Sequence, residues 1–262
     1  YIFENDLNES KSYQFNLKRG GLIKLERQVI PNEQLFQIRT EMEEEVKYNQ
    51  YPFRAAFVEP RLHALYSNNP ANGYMYHGVK MKSRPLAELH HISQLATTLA
   101  DRFRTSEFNI GLDLVVYRNG KDSIGWHADN TQGEQIIASL LIDSPCPART
   151  ICIKPNNIPR DGDEAIELYP TSGDMYQMDA KMQEGYLHSI PRATTETKRR
   201  MVIVFRHGQP KKVDSDLGVQ IKSLLPPTDR RVHYKFGTLS ELTEGHLYSR
   251  QILLKTGAHW CV

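Results

Sequence analysis

Apolar residues change their period once along this chain. Between residues 31 and 103 they recur at every third or fourth position, and beyond residue 109 they fall in short runs divided by turn residues. Pro31, tolerated in a first helical turn, precedes Leu35, Ile38, Met42 and Val46 with acidic residues between them, which predicts a first helix. A second is predicted over 85–103, where Leu86, Leu89, Ile92, Ala96, Leu99 and Phe103 form one stripe. Runs at 112–117, 136–142, 150–153, 165–168, 174–178 and 201–205 predict the strands of a sandwich or jelly roll. Earlier in the chain, Gly20-Gly21 reads as a turn into a short strand carrying Leu22, Ile23 and Leu25. The expected fold is α+β, an all-β core with helices packed outside it.

Composition narrows the class. The 262 residues, 39% of them hydrophobic, suffice for one large domain or two small ones. No apolar run approaches the roughly 18 residues of a helical membrane span, so no membrane partner is expected. Charged residues at 24% argue against wholesale disorder, and a net charge of +2 leaves any polyanion contact to local patches. Cys146, Cys152 and Cys261 have no paired spacing, which argues against a disulfide framework and a structural zinc site. With no leader pattern visible near Tyr1, an intracellular location, nuclear or cytoplasmic, is expected. Nothing points to a protein partner.

The candidate chemistry begins with Ser123-Ile124-Gly125-Trp126-His127-Ala128-Asp129. His127 and Asp129 are two positions apart, so on an extended strand both side chains point to one face. With ten histidines in the chain such a pair arises readily by accident, and the third element gives it weight: His188 in Gly185-Tyr186-Leu187-His188-Ser189-Ile190-Pro191. Two imidazoles and one carboxylate make the facial triad of non-haem Fe(II) oxygenases, with a zinc hydrolase as the competing reading. Arg200-Met201-Val202-Ile203-Val204-Phe205-Arg206 then places Arg200, Val202, Val204 and Arg206 on one strand face. Guanidinium groups taken out of water need an anion, so a bound carboxylate competes here with strand-end arginines reaching solvent.

On these residues the sequence resembles the AlkB family of Fe(II)/2-oxoglutarate dioxygenases, particularly the nucleic-acid demethylases of eukaryotes, over about 60–206. The resemblance also rests on Pro60-Arg61-Leu62, Tyr66, Tyr74-Met75-Tyr76, the run from Tyr117-Arg118-Asn119-Gly120-Lys121-Asp122 into Ser123–Asp129, and Ile137-Ala138-Ser139-Leu140. It implies a double-stranded β-helix in which His127, Asp129 and His188 bind iron and Tyr117, Arg200 and Arg206 hold 2-oxoglutarate. Arg200 would take the distal carboxylate and Arg206 would lie nearer the metal. It further implies a nucleotide-recognition lid over about 60–84 and contacts to substrate from Arg61, Tyr66, Tyr74, Tyr76, Trp126 and Asn130. In family chemistry 2-oxoglutarate and molecular oxygen are consumed, succinate forms, and a methyl group on a base nitrogen is hydroxylated and lost as formaldehyde. The domain layout expected on this basis is an N-terminal extension over 1–30, an AlkB-like domain over 31–208 and a C-terminal extension over 209–262.

Two departures from the family pattern stand out. Val115 and Val202 replace two asparagines near the 2-oxoglutarate pocket; replacing both facing amides by apolar groups is nearly neutral, which predicts a retained but drier pocket. Asn130 and Thr131 follow Asp129 where the repair enzymes carry acidic residues, so a neutral methylated base becomes conceivable. Lys80, Lys82, Arg84, Lys198 and Arg199 are candidate phosphate contacts or simply a solvated basic face. His90, His91, His246 and His259 are read as surface or packed histidines. Oxidative demethylation of alkylated bases in DNA or RNA is the expected function. Its rivals are a same-fold enzyme acting on protein or a neutral base, and a catalytically silent nucleic-acid-binding module.

Overall fold

Leu112, Leu114 and Val116 pack toward two helices while Val115 and Tyr117 between them pack toward a second sheet, and this period-two division runs through the whole core. The computed structural model describes residues 12–53, 57–69, 74–76, 79–103, 111–129, 136–156, 165–193 and 197–206. All of them fall within the unit Tyr1–Gln209. The expected C-terminal extension lies outside the described residues.

In chain order the first elements are β1 (Ser12–Asn16), β2 (Leu22–Glu26), α1 (Asn32–Glu44), β3 (Pro52–Phe53), β4 (Phe57–Val58), β5 (Leu62–Ser67), β6 (Tyr74–Tyr76), β7 (Val79–Met81), β8 (Arg84–Pro85) and α2 (His90–Arg102). There follow β9 (Gly111–Tyr117), β10 (Ile124–His127), β11 (Ile137–Asp143), β12 (Ile151–Pro155), β13 (Ile166–Leu168), β14 (Met175–Met178), α3 (Ala180–Gly185), β15 (Tyr186–Ile190) and β16 (Arg200–Arg206). An eight-stranded sheet runs β1-β2-β14-β11-β16-β9-β5-β8, and a four-stranded sheet runs β10-β15-β12-β13. From β9 to β16 the chain winds repeatedly between the two sheets, which is the connectivity of a double-stranded β-helix. The strands at 112–117 and 201–205 were legible as apolar runs because they are buried on both faces, one against helices and one against the other sheet.

Residues 12–26 of the expected N-terminal extension pair into the large sheet. Met175–Met178 pair with Glu26 to Ile23, so β2 continues the large sheet and β1 forms its edge. Gly21 permits the entry: its φ is +99°, and a Cβ there would stand 2.4 Å from the backbone nitrogen of Met182. The second helix starts at His90 rather than at 85. Proline disfavours helical backbone at the residue before it, so Arg84-Pro85 pairs instead in parallel with Tyr66 and Ser67, and a single 3₁₀ turn over Leu86–Glu88 precedes α2. The predicted stripe survives, with Leu86, Leu89, Ile92, Ala96 and Leu99 all buried.

The start of α2 is capped from outside. Glu41 on α1, only 3% exposed, accepts from the backbone N–H groups of His91 at 2.9 Å and Ile92 at 2.8 Å. These are donors that a helix cannot satisfy internally, and the carboxylate also meets the positive end of the helix dipole. Glu41→Ala is expected to lower the unfolding free energy by about 1–3 kcal/mol. The measurement is a lowered denaturant midpoint at unchanged slope.

Candidate active site

The antiparallel pairing of β10 with β15 sets His127 opposite His188, with a bulge in β10 between Ile124 and His127 and the two rings 4.1 Å apart. Asp129 lies two residues beyond, its Oδ2 3.4 Å from His188 Nε2. One ligand atom from each of the three lies within 4.8 Å of the others. The carbonyl of Gly125 accepts from His127 Nδ1–H at 2.9 Å, which fixes the tautomer and leaves the Nε2 lone pair for a ligand bond. Burial, and then His188 beside it, pushes the His127 pKa down to about 3, so the ring is neutral at any physiological pH. Burial alone would raise the Asp129 carboxyl. Arg206, whose Nη2 donates to Asp129 Oδ1 at 2.7 Å, and the neighbouring His188 outweigh it and hold the group well below the usual carboxylate range. Two imidazole nitrogens and an ionised oxygen on three convergent side chains suit a divalent transition metal with coordination positions to spare.

The same cavity is lined by Tyr117, Arg200, Val202, Val204 and Arg206, as the period-two reading of β16 predicts. Arg200 is 1% exposed, and neither Nη1 nor Nη2 has a hydrogen-bond partner among the described residues. Its guanidinium stands 5.1 Å from the centre of the Tyr117 ring, and Arg149 lies 5.4 Å from the same ring. Burial pushes the Tyr117 hydroxyl pKa up, so it stays protonated and able to donate. A desolvated cation with open donors beside a phenol is a carboxylate site, because the alternative is an uncompensated buried charge. The residues present therefore fit both a metal ion and a keto-acid chelated next to it.

Val115 and Val202 are direct cross-strand partners, 4% and 2% exposed, so the two departures from the family pattern are one apolar pair. Val202→Asn would bury an amide opposite a valine and cost about 1–3 kcal/mol of stability. The Val115→Asn, Val202→Asn double variant recovers part of that loss, read as a non-additive coupling in thermal or denaturant unfolding.

The substrate residues expected from sequence divide. Arg61 is buried on the cavity wall, donating to the Ser123 carbonyl at 3.2 Å and pairing with Glu59 at 3.0 Å. Tyr66 is 1% exposed in the helix-facing core, opposite Leu112, and does not reach the cavity; β5 belongs to the large sheet, so this part of the expected lid is core. Trp126 alternates with His127 on β10 and is not among the lining residues; Lys154 sits 4.4 Å from its ring centre. Tyr74 and Tyr76 lie on β6, paired with β7, but their side chains, that of Lys80, and Asn130 with Thr131 fall outside the described residues. Arg199 is engaged with Asp143 and Glu43 rather than left for a phosphate, tying β16 to α1. Lys82 and Lys198 are exposed, and His90 and His91 stack edge-on against each other. His246 and His259 lie outside the described residues.

Three cavity-side groups were missed by sequence reasoning. Gln183 on α3 accepts from the Asp129 N–H at 2.8 Å and so steadies the loop that carries that carboxylate. No local pattern announces it. Asp113 and His63 line the cavity together. Asp113 had a signal, since it lies four residues before Tyr117 and strand periodicity puts both on one face.

The model of the 2OG-Fe(II) oxygenase superfamily matches residues 23–206 of this chain. Among curated proteins, the human alpha-ketoglutarate-dependent dioxygenase alkB homolog 3 is 27% identical over 178 residues, covering 64% of this chain and 55% of the human protein. The rat alkB homolog 3 is 27% identical over 160 residues, covering 57% and 50%. The chain thus spans about half the length of the curated relatives it matches. Similar solved structures include a Pseudomonas putida prolyl-4-hydroxylase, 11% identical with a TM-score of 0.46, covering 71% of this chain and 93% of that one. A Trichoplax adhaerens prolyl hydroxylase in complex with a hypoxia inducible factor peptide is 8% identical with a TM-score of 0.48, covering 70% and 82%.

Proposed function

Because the chain belongs to the 2OG-Fe(II) oxygenase superfamily, whose members work with Fe(II), 2-oxoglutarate and molecular oxygen, we propose that it oxidatively removes methyl groups from nucleic-acid bases. The observation that carries the reading is the convergence of a His, Asp, His set and a buried, donor-rich Arg200 with Tyr117 on one cavity. In this assignment His127, Asp129 and His188 hold the iron. Tyr117 and Arg200 take the distal carboxylate of 2-oxoglutarate, and Arg206, which already touches Asp129, lies at the metal end. With iron bound, molecular oxygen would be the oxidant, one oxygen atom passing to 2-oxoglutarate as it is decarboxylated to succinate and the other to the N-methyl carbon, and the hydroxymethyl product would lose formaldehyde.

The chain's own work is geometric and electrostatic. Gly125 keeps His127 in the ligating tautomer, and Arg206 and Gln183 aim Asp129. Val115, Val202, Ile151 and Ile190 make part of the wall apolar, which keeps water from the reacting groups. Similarity to alkB homologues supports nucleic acid as the substrate class.

The test is formaldehyde release and succinate formation from a panel of single- and double-stranded DNA and RNA oligonucleotides bearing different methylated bases. The expected result is turnover of at least one of them. Succinate formed only with peptides would replace the reading with a protein hydroxylase. Oligonucleotide binding with no succinate above background would replace it with a binding module.

A further inference from the structure

The cavity wall opposite the minor sheet carries charges that the roles above leave unused. Asp113 lines the cavity from β9, its side chain 15% exposed, in cross-strand register with Val204 and Leu65. His63 on β5 holds it, with Nδ1 3.0 Å and 3.2 Å from the two carboxylate oxygens. On its other side His63 Nε2 lies 3.1 Å from Glu59, and Glu59 pairs with Arg61. Arg61, Glu59 and His63 in this chain of contacts are buried, so the partly exposed Asp113 is oriented by neighbours that cannot readily move.

The charge of this wall is bounded. Arg61 and Glu59 cancel, and His63 with Asp113 sums to zero when the imidazole is protonated and to −1 when it is neutral. Over these four residues, with both carboxylates ionised, it is never positive. One imidazole N–H uses one of several acceptor sites on a carboxylate, so Asp113 keeps capacity for a donor or cation in the cavity. In a partly desolvated wall that carboxylate attracts a positive ring far more strongly than it would in water.

We propose that Asp113, fixed by His63, is the residue that selects a positively charged methylated base over a neutral one. This rests on the demethylase reading and adds to it the group that reads the charge of the ring.

The experiment compares kcat/KM of the full chain, with Fe(II) and 2-oxoglutarate, on two oligonucleotides of one sequence, carrying cationic N1-methyladenine or neutral N6-methyladenine. The wild type is expected to prefer the cationic base, and Asp113→Asn to cut the cationic-to-neutral ratio by about tenfold or more. An unchanged ratio, or a wild-type preference for the neutral base, overturns the proposal. Should Asp113→Asn fail to fold, binding of 1-methyladenosine and adenosine to the wild type loaded with Mn(II) and 2-oxoglutarate decides it: at least about tenfold tighter binding of the cation, lost on adding salt, is expected, and equal binding overturns it. If neither these two oligonucleotides nor any other of the panel yields formaldehyde, the demethylase reading fails by itself, and the nucleoside comparison still judges Asp113.

Discussion

His127→Ala abolishes succinate formation, lowering it by about three orders of magnitude or more, while the protein keeps its fold. Changes to groups that merely orient a metal ligand cost about 10–100-fold in metal affinity or activity, so loss of a ligand must exceed that. His127 is one of three donors, and the two that remain hold an octahedral ion far more weakly. The fold survives because the ring lies at the end of β10 and lines a cavity rather than filling the apolar core. Circular dichroism reports the retained structure, Mn(II) titration the lost affinity, and a succinate assay the lost turnover. If His127→Ala bound Mn(II) as tightly as the wild type, the triad assignment would be wrong.

Arg200→Met separates binding from stability, and the two move in opposite directions. Methionine fills a similar volume without a charge, and replacing a buried cation whose Nη groups have no hydrogen-bond partner among the described residues by an apolar group is commonly neutral or stabilising. In the absence of 2-oxoglutarate the variant is therefore expected to unfold at the same denaturant midpoint or higher, by up to about 1 kcal/mol. Its KM for 2-oxoglutarate rises by about a hundredfold, because a charge-assisted bidentate contact in a dry pocket is lost. Addition of 2-oxoglutarate raises the melting temperature of the wild type and leaves the variant where it was. A variant that is both destabilised and still responsive to 2-oxoglutarate would mean that Arg200 serves the core and not a ligand.

What could be read before folding depended on how local each signal was. Period two is a property of one strand, so Arg200, Val202, Val204 and Arg206 were assigned to one face from sequence, and they do line one cavity. The same rule, applied to Trp126 beside His127, would have turned the indole away from the site. Tyr66 shows the other side. Nothing local says which face of β5 meets the helices, because that parity is set by its register with β9, where Tyr66 stands opposite Leu112.

The amino-acid sequence by itself determined the strand and helix periods, the pair His127 and Asp129, and the arginine-bearing strand, since each follows from side-chain chemistry within a few residues; His188, 59 residues beyond Asp129, is set opposite His127 by the pairing of β10 with β15. Tertiary structure alone decided that β1 and β2 complete the large sheet, that Glu41 caps α2 and that His63 holds Asp113. The contacts of β2 with β14, of Glu41 with α2 and of His63 with Asp113 join residues 50 to 155 positions apart. Which partner a buried charge finds depends on how the strands pair, and that pairing is fixed by hydrogen bonds and packing summed over the whole core, not by any short stretch of chain.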